Sequence, residues 1–374
     1  LFDRWMPANQ GIDPTDVETP VLAAMLCREA QSLLKLAAVI GRQDVIEGLQ
    51  IKKQRLIDQV ESTWDGLENT YCYRDMLTGL RPRGMNLLTF HGSGQHEIRQ
   101  TLDSPQKLVL NLYGESSDTH HARITIHGLL DSTEVTEVIT PGQVQWMNVT
   151  GHAVTTSRFT YVELVEIDGL LYGDHGRLRT ADLTRKDITL LLPLWAHIPS
   201  RERAQHLIQD TILPQFVQSY GLPVCPSSHL LPEQQHLNRV FLPWNAFVLE
   251  GLLMYGYRET AADLFTRLMS AICQNLAAEG QFRASFSASN GKPDGDANTL
   301  ASLPPVGLFL QILGLRKLSK QEIILEGLNP FPWPVTVQYQ GTRLIFHPDR
   351  TEIRSVNDKL TTVNTLGLHR IILP

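Results

Sequence analysis

Apolar residues recur at helical spacing in several stretches of this chain. Two of these stretches lie in residues 238–314, where only residues 256–259 separate them, so they predict a helical hairpin followed by a polar loop. Thr19 and Pro20 form a hydroxyl N-cap and a proline at the first helical position, which favour a helix start there. Helices are predicted to begin near Pro20, Asp44, Ser200, Pro243, Thr260 and Pro304.

The pattern changes between residues 80 and 187, where short apolar or alternating runs such as residues 108–113 are separated by turn residues. Runs of this length and spacing are typical of an antiparallel β-sandwich. Further strand-like runs follow the proline-rich residues 329–334. The predicted domains are a helical hairpin over 1–79, an inserted β-sandwich over 80–187, further helices over 188–328 and a small β cap over 329–374.

The composition is that of an ordinary globular protein, with 42% hydrophobic and 19% charged residues. A formal net charge of -6 argues against nucleic acid or an anionic membrane as a partner. The longest apolar run, residues 188–198, is far short of the roughly 20 residues that span a bilayer, so no membrane segment is predicted. Four scattered cysteines favour free thiols in a reducing compartment, and hence a cytoplasmic protein.

Three short motifs carry a family resemblance. Pro-Trp-Asn at 243–245 opens one predicted helix, Tyr-Gly-Tyr at 255–257 ends it, and an Asn-Gly loop at 290–291 follows the next helix. This order resembles the six-hairpin glycosidases, in the branch that holds trehalases, processing glucosidases and mannosylglycerate hydrolases. Trp-Asp at 64–65 and Tyr-Gly-Leu-Pro at 220–223 are similar to further segments of that branch.

The resemblance implies a mainly α fold, namely the second half of an α/α six-hairpin toroid with an inserted antiparallel β-sandwich domain and a small C-terminal β cap. A complete toroid has twice as many helices as this chain is predicted to have. The resemblance therefore implies that protein preceding Leu1, a partner chain or the β domain covers the open flank. Because the sequence begins without methionine, a fragment is the expectation.

Common cofactor and metal motifs are absent from the sequence. It contains no P-loop and no dinucleotide-binding Gly-x-Gly-x-x-Gly, Gly-x-Ser-x-Gly or His-Glu-x-x-His sequence. Five histidines cluster without acids or thiols at ligand spacing, and are predicted to be exposed or turn residues: His91, His96, His120, His121 and His127. Neither a metal nor a cofactor is expected.

Glycoside hydrolysis with inversion, the usual outcome in this branch, needs two carboxyl groups about 6.5–9.5 Å apart. The resemblance places the acid at Asp3. Arg4 and Trp5 follow, and the resemblance implies that they bind substrate by hydrogen bonding and by ring stacking. Alternatively, Asp3 only caps a turn or pairs with Arg4.

The base is where this sequence departs from the superfamily. The glutamate of the usual base loop falls on Ala284, which cannot deprotonate water, and Phe286 stands where tyrosine is usual. Glu279 is the predicted replacement base, and Asp294 and Asp296 are further candidates. Each of these acids is alternatively an exposed loop or helix-end residue.

The resemblance also places sugar contacts at the start of one helix and in the base loop, at Trp244, Asn245 and Phe286. Alternatively, Trp244 belongs to the core and Asn245 caps the helix. Weaker candidates for residues of the site are Glu250, Trp64 and Asp65.

The predicted function is that of a carbohydrate-active, glycoside hydrolase-like protein that hydrolyses a glucoside or related glycoside with inversion. The alternative is a catalytically degenerate sugar-binding or assembly module that lacks the usual base. A phosphorylase is a third hypothesis, but no conspicuous phosphate-binding cluster supports it. The predicted partner is a carbohydrate substrate.

Overall fold

The computed structural model describes residues 14–115, 121–147, 149–230 and 237–373. Helix and strand each account for about 34% of the chain, so the predicted mainly α fold class is wrong. The reason is that segments between and after the long helices form sheets. Residues 283–297, predicted to lie largely in a polar loop, contain two strands, and the last predicted helix covers only Val306–Ile312.

The α-helices in the described part of the chain include six that begin within two residues of a predicted start. The helices are α1 (Pro20–Val39), α2 (Ile46–Ser62), α3 (Leu192–Trp195), α4 (Arg201–His206), α5 (Leu242–Met254), α6 (Arg258–Glu279) and α7 (Val306–Ile312). Helix α4 continues as a π-helix over Leu207–Phe216, whose wider ladder accommodates Pro214. Short 3₁₀ helices occur at Pro14–Asp16, Gln43–Val45, Pro141–Gln143, Ile188–Leu191, Ser227–His229 and Leu300–Ser302.

The described residues fall into two compact units, the first within 1–22, 59–65 and 71–190, and the second within 23–58, 66–70 and 191–374. The division into four domains stays a prediction.

The first unit contains two larger antiparallel sheets, of five and four strands. The five-stranded sheet has the order Gln145–Met147, Thr150–Val154, Leu108–Tyr113, His175–Thr180 and Asn86–His91. The four-stranded sheet has the order Gly94–Gln106, Phe159–Asp168, Arg123–Leu130 and Thr133–Ile139. Four two-residue strands lie outside these sheets, at Val17–Glu18, Trp64–Asp65, Thr70–Tyr71 and Arg74–Asp75, and of their residues Thr70 belongs to the second unit.

Both sheets contribute alternate side chains to one apolar core. Leu108, Leu110 and Leu112 from one sheet and Ile124 and Ile126 from the other are buried in it. The strand Leu108–Tyr113 has the bounds that its sequence pattern predicts. A shared core between two antiparallel sheets is the packing of a β-sandwich.

The second unit combines the longer helices with three small antiparallel sheets. Their strands are Arg239–Phe241, Arg283–Ser287 and Pro293–Ala297; Leu315–Leu318, Glu322–Glu326 and Leu368–Ile372; and Val335–Tyr339, Thr342–Phe346, Thr351–Arg354 and Leu360–Val363. Gly256 adopts the left-handed conformation, with φ of 85°, just beyond α5, and so turns the chain into α6.

Across the described ranges, no helix combines the length and apolar character that crossing a bilayer requires. Cys27, Cys72 and Cys225 are buried, whereas Cys273 is exposed.

Candidate functional site

Three of the predicted site residues, Asp3, Arg4 and Trp5, lie outside the described residues. Their roles as acid and sugar contacts stay predictions. The principal site residues that remain all lie in the second unit, on α5, at the end of α6 and on the strand Arg283–Ser287.

The strand Arg283–Ser287 is the middle strand of a three-stranded sheet. Ala284 is 6% exposed, and Phe286 is fully buried and pairs with Val240 across the sheet. Phe286 therefore fills the core on one face of the sheet, and its contact with sugar stays a prediction. Because side chains alternate along a strand, Ser287 lies on the opposite face.

A β-bulge shapes the hairpin that this strand forms with the next one. The register shifts between Arg283 and Ser285, so that Gly295 and Asp296 together oppose Ala284. Gly295 has φ of 74°, in the region that favours glycine, and a Cβ there would lie 2.7 Å from Ser285 Oγ. Bulges redirect side chains and are common beside functional sites.

The three candidate base carboxylates have different surroundings. Glu279 pairs with Arg283 at 2.8 Å, and Asp294 pairs with Arg239 at 2.5 Å. Asp296 is exposed and has no ion pair with any residue that the structure describes. Guanidinium groups therefore fix the orientation of two of the three carboxylates.

A polar cleft of about 320 Å³ opens beside the hairpin. We call it the hairpin cleft, and it is lined by Asn238, Arg239, Ser287, Ser289, Asn290, Lys292, Pro293 and Asp294. The hydroxyls of Ser287 and Ser289 lie 3.2 Å apart, and Asn290 Oδ1 accepts the N–H of Lys292 at 3.0 Å. These bonds order the turn, and Asn290 and Lys292 are exposed.

Tyr220 supports the turn of the hairpin from the Tyr-Gly-Leu-Pro segment. Its backbone N–H donates to the carbonyl of Ala288 at 3.2 Å. A Cβ at Gly291, which has φ of 69°, would lie 3.0 Å from the Tyr220 ring. Two of the motifs that carry the family resemblance therefore meet at the hairpin.

Asn245 joins the same Tyr-Gly-Leu-Pro segment to the start of α5. Its Nδ2 donates to the carbonyls of Leu222 at 2.9 Å and Phe241 at 3.0 Å, and its Oδ1 accepts the Leu222 N–H at 2.9 Å. The side chain is buried. These bonds occupy the amide with backbone partners, and its contact with sugar stays a prediction.

Trp244 begins a row of half-buried rings. Its centroid lies 5.9 Å from that of Phe247, which lies 4.5 Å from that of Trp195. Glu250, a weaker candidate for the site, accepts hydrogen bonds from Arg28 Nη2 at 2.7 Å and Trp195 Nε1 at 2.9 Å. Glu250 thus links α1, α3 and α5.

The remaining weaker candidates, Trp64 and Asp65, lie in the first unit. Asp65 pairs with Arg81 at 2.6 Å, and the ring of Trp64 meets that of Tyr71 edge-on at 5.1 Å. Both side chains are therefore in packing and ionic contacts of that unit.

Sequence reasoning missed Arg239, Asn290 and Lys292 as lining residues. The polar turn Asn-Gly-Lys is a visible signal, but Arg239 joins it only because two strands far apart in the sequence pair. Among the described residues, no group of three histidine, cysteine, aspartate or glutamate side chains is placed to hold a metal ion.

No protein-family profile matches the sequence. No curated protein matches it either.

Solved structures do show a likeness. A GH63 mannosylglycerate hydrolase from Thermus thermophilus, in complex with glucose, is 16% identical with a TM-score of 0.43, over 79% of this chain and 48% of that one. Neutral trehalase from Saccharomyces cerevisiae is 11% identical with a TM-score of 0.42, over 79% of this chain and 42% of that one. A sialidase is 9% identical with a TM-score of 0.46, over 95% of this chain and 25% of that one.

The chain thus spans less than half the length of these structures. Because these TM-scores are below 0.5, the proposed function rests on the chain's own side chains. The mannosylglycerate hydrolase and the trehalase are both six-hairpin glycosidases, the superfamily that the motifs of this chain resemble, and the likeness is at low identity.

Proposed function

We propose that this protein acts on carbohydrates and that the hairpin cleft binds a sugar. The observation that carries the proposal is the mixture of groups in one cleft: a fixed guanidinium–carboxylate pair, two hydroxyls, an exposed amide and an exposed ammonium. A sugar hydroxyl both donates and accepts hydrogen bonds, so it suits a surface that offers both kinds of partner. Convergent polar groups in a concave site are what fix a small ligand's orientation.

The Arg239–Asp294 pair supports this proposal because its geometry is prepared before binding. The two side chains are held at 2.5 Å on the face of the sheet that carries Ser287. A preorganised planar pair loses little freedom when it binds two neighbouring hydroxyls.

For the reaction we propose hydrolysis of a glucoside or related glycoside with inversion, with Asp3 as acid and Glu279 as base. Arg283 holds the Glu279 carboxylate by two nitrogens, Nε and Nη2, each at 2.8 Å. Both nitrogens bind Oε2, so the carboxylate is held in one orientation, and Oε1 is the oxygen that would accept the proton from water. The proposed substrate is a carbohydrate.

A second candidate function is a sugar-binding module without catalysis. It is favoured by Ala284, whose buried side chain cannot activate water, and by the ion pairs that occupy Glu279 and Asp294. Completion of the protein by an N-terminal half or a partner chain, and a cytoplasmic location, also stay predictions.

Binding tests the first proposal. Titration calorimetry with glucose, trehalose, mannosylglycerate and maltose should detect at least one ligand, and Asp294→Asn and Asn290→Ala should each weaken it about tenfold by removing a direct hydrogen bond. The matched control is Asn364→Ala, an exposed asparagine in the C-terminal region. Equal affinities in all four proteins, or no binding of any sugar, would contradict the cleft assignment.

Hydrolysis separates the two candidate functions. If Glu279 is the base, Glu279→Gln should reduce the rate of sugar release by at least about a hundredfold while binding remains. Glu97→Gln, which removes an exposed ion pair with Arg99 in the β-sandwich, is the control. Binding without hydrolysis by the unmodified protein, with activity gained in Ala284→Glu, would support the module that has lost its base.

A further inference from the structure

The hairpin cleft carries an excess of positive charge. Its described lining residues include two cations, Arg239 and Lys292, and one anion, Asp294. Arg239 Nη2 and Asp294 Oδ2 lie 2.5 Å apart, so these two charges offset each other. Lys292 is exposed and forms no ion pair with any described residue. The cleft therefore keeps one positive charge, although the formal net charge of the protein is -6.

The two cations lie on either side of Ser287. Arg239 is the cross-strand partner of Ser287 in the sheet. On the other side, the Ser287 N–H donates to the carbonyl of Lys292 at 2.9 Å, which places Lys292 beside it in the hairpin. Side chains that face each other on antiparallel strands have Cβ atoms about 4.5–5.5 Å apart. A small anionic group next to Ser287 would therefore lie close to both basic side chains.

The cleft also presents hydrogen-bond donors at its turn. Asn290 Oδ1 accepts the Lys292 N–H at 3.0 Å, which leaves the two N–H groups of Asn290 Nδ2 for a ligand. The hydroxyls of Ser287 and Ser289 lie 3.2 Å apart and share one hydrogen, so the second hydroxyl hydrogen is available. The turn therefore suits a ligand group with several acceptor oxygens.

Acceptors of the cleft are fewer. Asp294 Oδ2 pairs with Arg239, and Asp294 Oδ1 accepts the N–H of Gly295 at 2.7 Å. Two polar atoms of the wall, Arg239 Nε and Asn238 Oδ1, are buried without a hydrogen-bond partner among the described residues. Both residues are only partly buried, so their side chains can turn toward a ligand. Such atoms gain free energy when a ligand bonds to them.

The kind of donor distinguishes between two anionic groups. A carboxylate is bound best by two parallel N–H groups of one guanidinium, but Asp294 already holds Nη2 of Arg239. An ammonium together with single N–H and O–H donors from different residues suits the three terminal oxygens of a phosphate. The sequence alone shows no such cluster, because pairing between distant strands assembles it.

We propose that the hairpin cleft binds a phosphorylated sugar, with its phosphoryl group beside Ser287, between Lys292 and Asn290. A sugar hydroxyl then donates to Asn238 Oδ1. The inference rests on the proposed function and names the class of ligand for that site.

Titration calorimetry tests the proposal with matched pairs of ligands, namely glucose with glucose 6-phosphate and mannose with mannose 6-phosphate. Glucuronate and inorganic phosphate are measured beside them. In at least one pair the phosphorylated sugar should bind at least about tenfold more tightly than the neutral sugar, because of charge-assisted bonds to Lys292. Glucuronate should bind more weakly than glucose 6-phosphate.

Variants of Lys292 test its role in this preference. Lys292→Gln should lower the ratio of the two affinities by about tenfold, and Lys292→Arg should retain most of it, since the positive charge remains. The matched control is Lys320→Gln, which removes another exposed lysine and should leave the ratio unchanged. Circular dichroism checks that every variant is folded.

The outcomes separate this inference from the proposed function. Equal affinities within both pairs, glucuronate binding as tightly as glucose 6-phosphate, or an unchanged ratio in Lys292→Gln would each overturn the phosphate assignment while the sugar site stands. Binding of inorganic phosphate without any sugar would support a phosphoryl site for free phosphate and contradict the sugar proposal. No binding of any of these ligands would contradict both.

Discussion

The buried amide of Asn245 makes three hydrogen bonds to backbone groups of Leu222 and Phe241. Asn245→Ala removes all three and leaves buried backbone groups unpaired, so we expect the free energy of unfolding to fall by about 2–3 kcal/mol. Urea denaturation measures it. Gln274→Ala, which removes an exposed contact with Ser270, is the control and should change stability by less than about 0.5 kcal/mol. A similar small change in both variants would contradict the structural role of Asn245.

Asp187 provides a prediction about pH. Burial raises the pKa of its carboxyl above the usual range, although hydrogen bonds from Thr189 and Tyr73 act in the opposite direction. The folded pKa of Asp187 is higher than the unfolded value of about 3.9. Its favourable contribution to the free energy of unfolding is therefore complete below about pH 3.9. The contribution is lost as pH rises through the folded pKa.

Asp187→Asn removes this titration while keeping the shape of the side chain. The free energy of unfolding of the variant minus that of the unmodified protein should therefore rise with pH above about 3.9, by up to about 1.4 kcal/mol per pH unit, and then level off. Urea denaturation of both proteins from about pH 3.5 to 8 measures whether this difference in the free energy of unfolding rises or falls with pH. A difference that falls as pH rises would show that hydrogen bonding outweighs burial.

At the scale of elements, close packing of α5 on α3 depends on Gly251. A Cβ there would lie 2.9 Å from the backbone nitrogen of Trp195 and 3.0 Å from the carbonyl carbon of Leu194. Gly251→Ala should therefore lower the free energy of unfolding by about 1–3 kcal/mol, since backbone atoms cannot move aside without repacking.

Gly48→Ala in α2 is the matched control, because nothing lies within 4 Å of a Cβ at that position. Alanine favours the helix over glycine, so this change should raise the free energy of unfolding by about 0.5–1 kcal/mol. Both values come from urea denaturation. A lower free energy of unfolding for Gly251→Ala and a higher one for Gly48→Ala would support the packing argument. A gain in stability for Gly251→Ala would refute it.

The elements differ in how much of them the sequence reveals. Leu108–Tyr113 is predicted with the bounds it has, since its apolar run is set by its own residues and buried on the sandwich core. Pro293–Ala297 carries mostly small and acidic residues and has no strand pattern. It becomes a strand because Arg283–Ser287 pairs with it and Gly295 permits the bulge.

At the scale of the molecule, Arg258 connects distant parts of the second unit. Its Nε donates to the carbonyl of Ile312 and its Nη1 to that of Glu326, each at 2.6 Å. Gly314 leaves room for the guanidinium, since a Cβ there would lie 2.4 Å from Nη2. The start of α6, the end of α7 and a C-terminal strand therefore meet at one side chain.

Arg258→Met should lower the free energy of unfolding by about 2–4 kcal/mol, because two carbonyls lose a charged donor. The free energy of unfolding of Arg258→Lys should lie between that of Arg258→Met and that of the unmodified protein, since lysine reaches fewer acceptors in this geometry. Arg343→Met, on an exposed strand position, is the control. If all three variants unfold at the same urea concentration, Arg258 does not stabilise this junction.

By itself the sequence determined six helix starts to within two residues, some strands of the β-sandwich such as Leu108–Tyr113, and the motifs that resemble those of the six-hairpin glycosidases. These depend on local features: apolar spacing, capping residues and turn glycines. Only the tertiary structure decided that helix and strand are equally abundant, that Asn245 bonds to Leu222, and that Arg239 and Lys292 line one cleft. Those outcomes depend on pairing between residues distant in the chain, whose register no local pattern specifies.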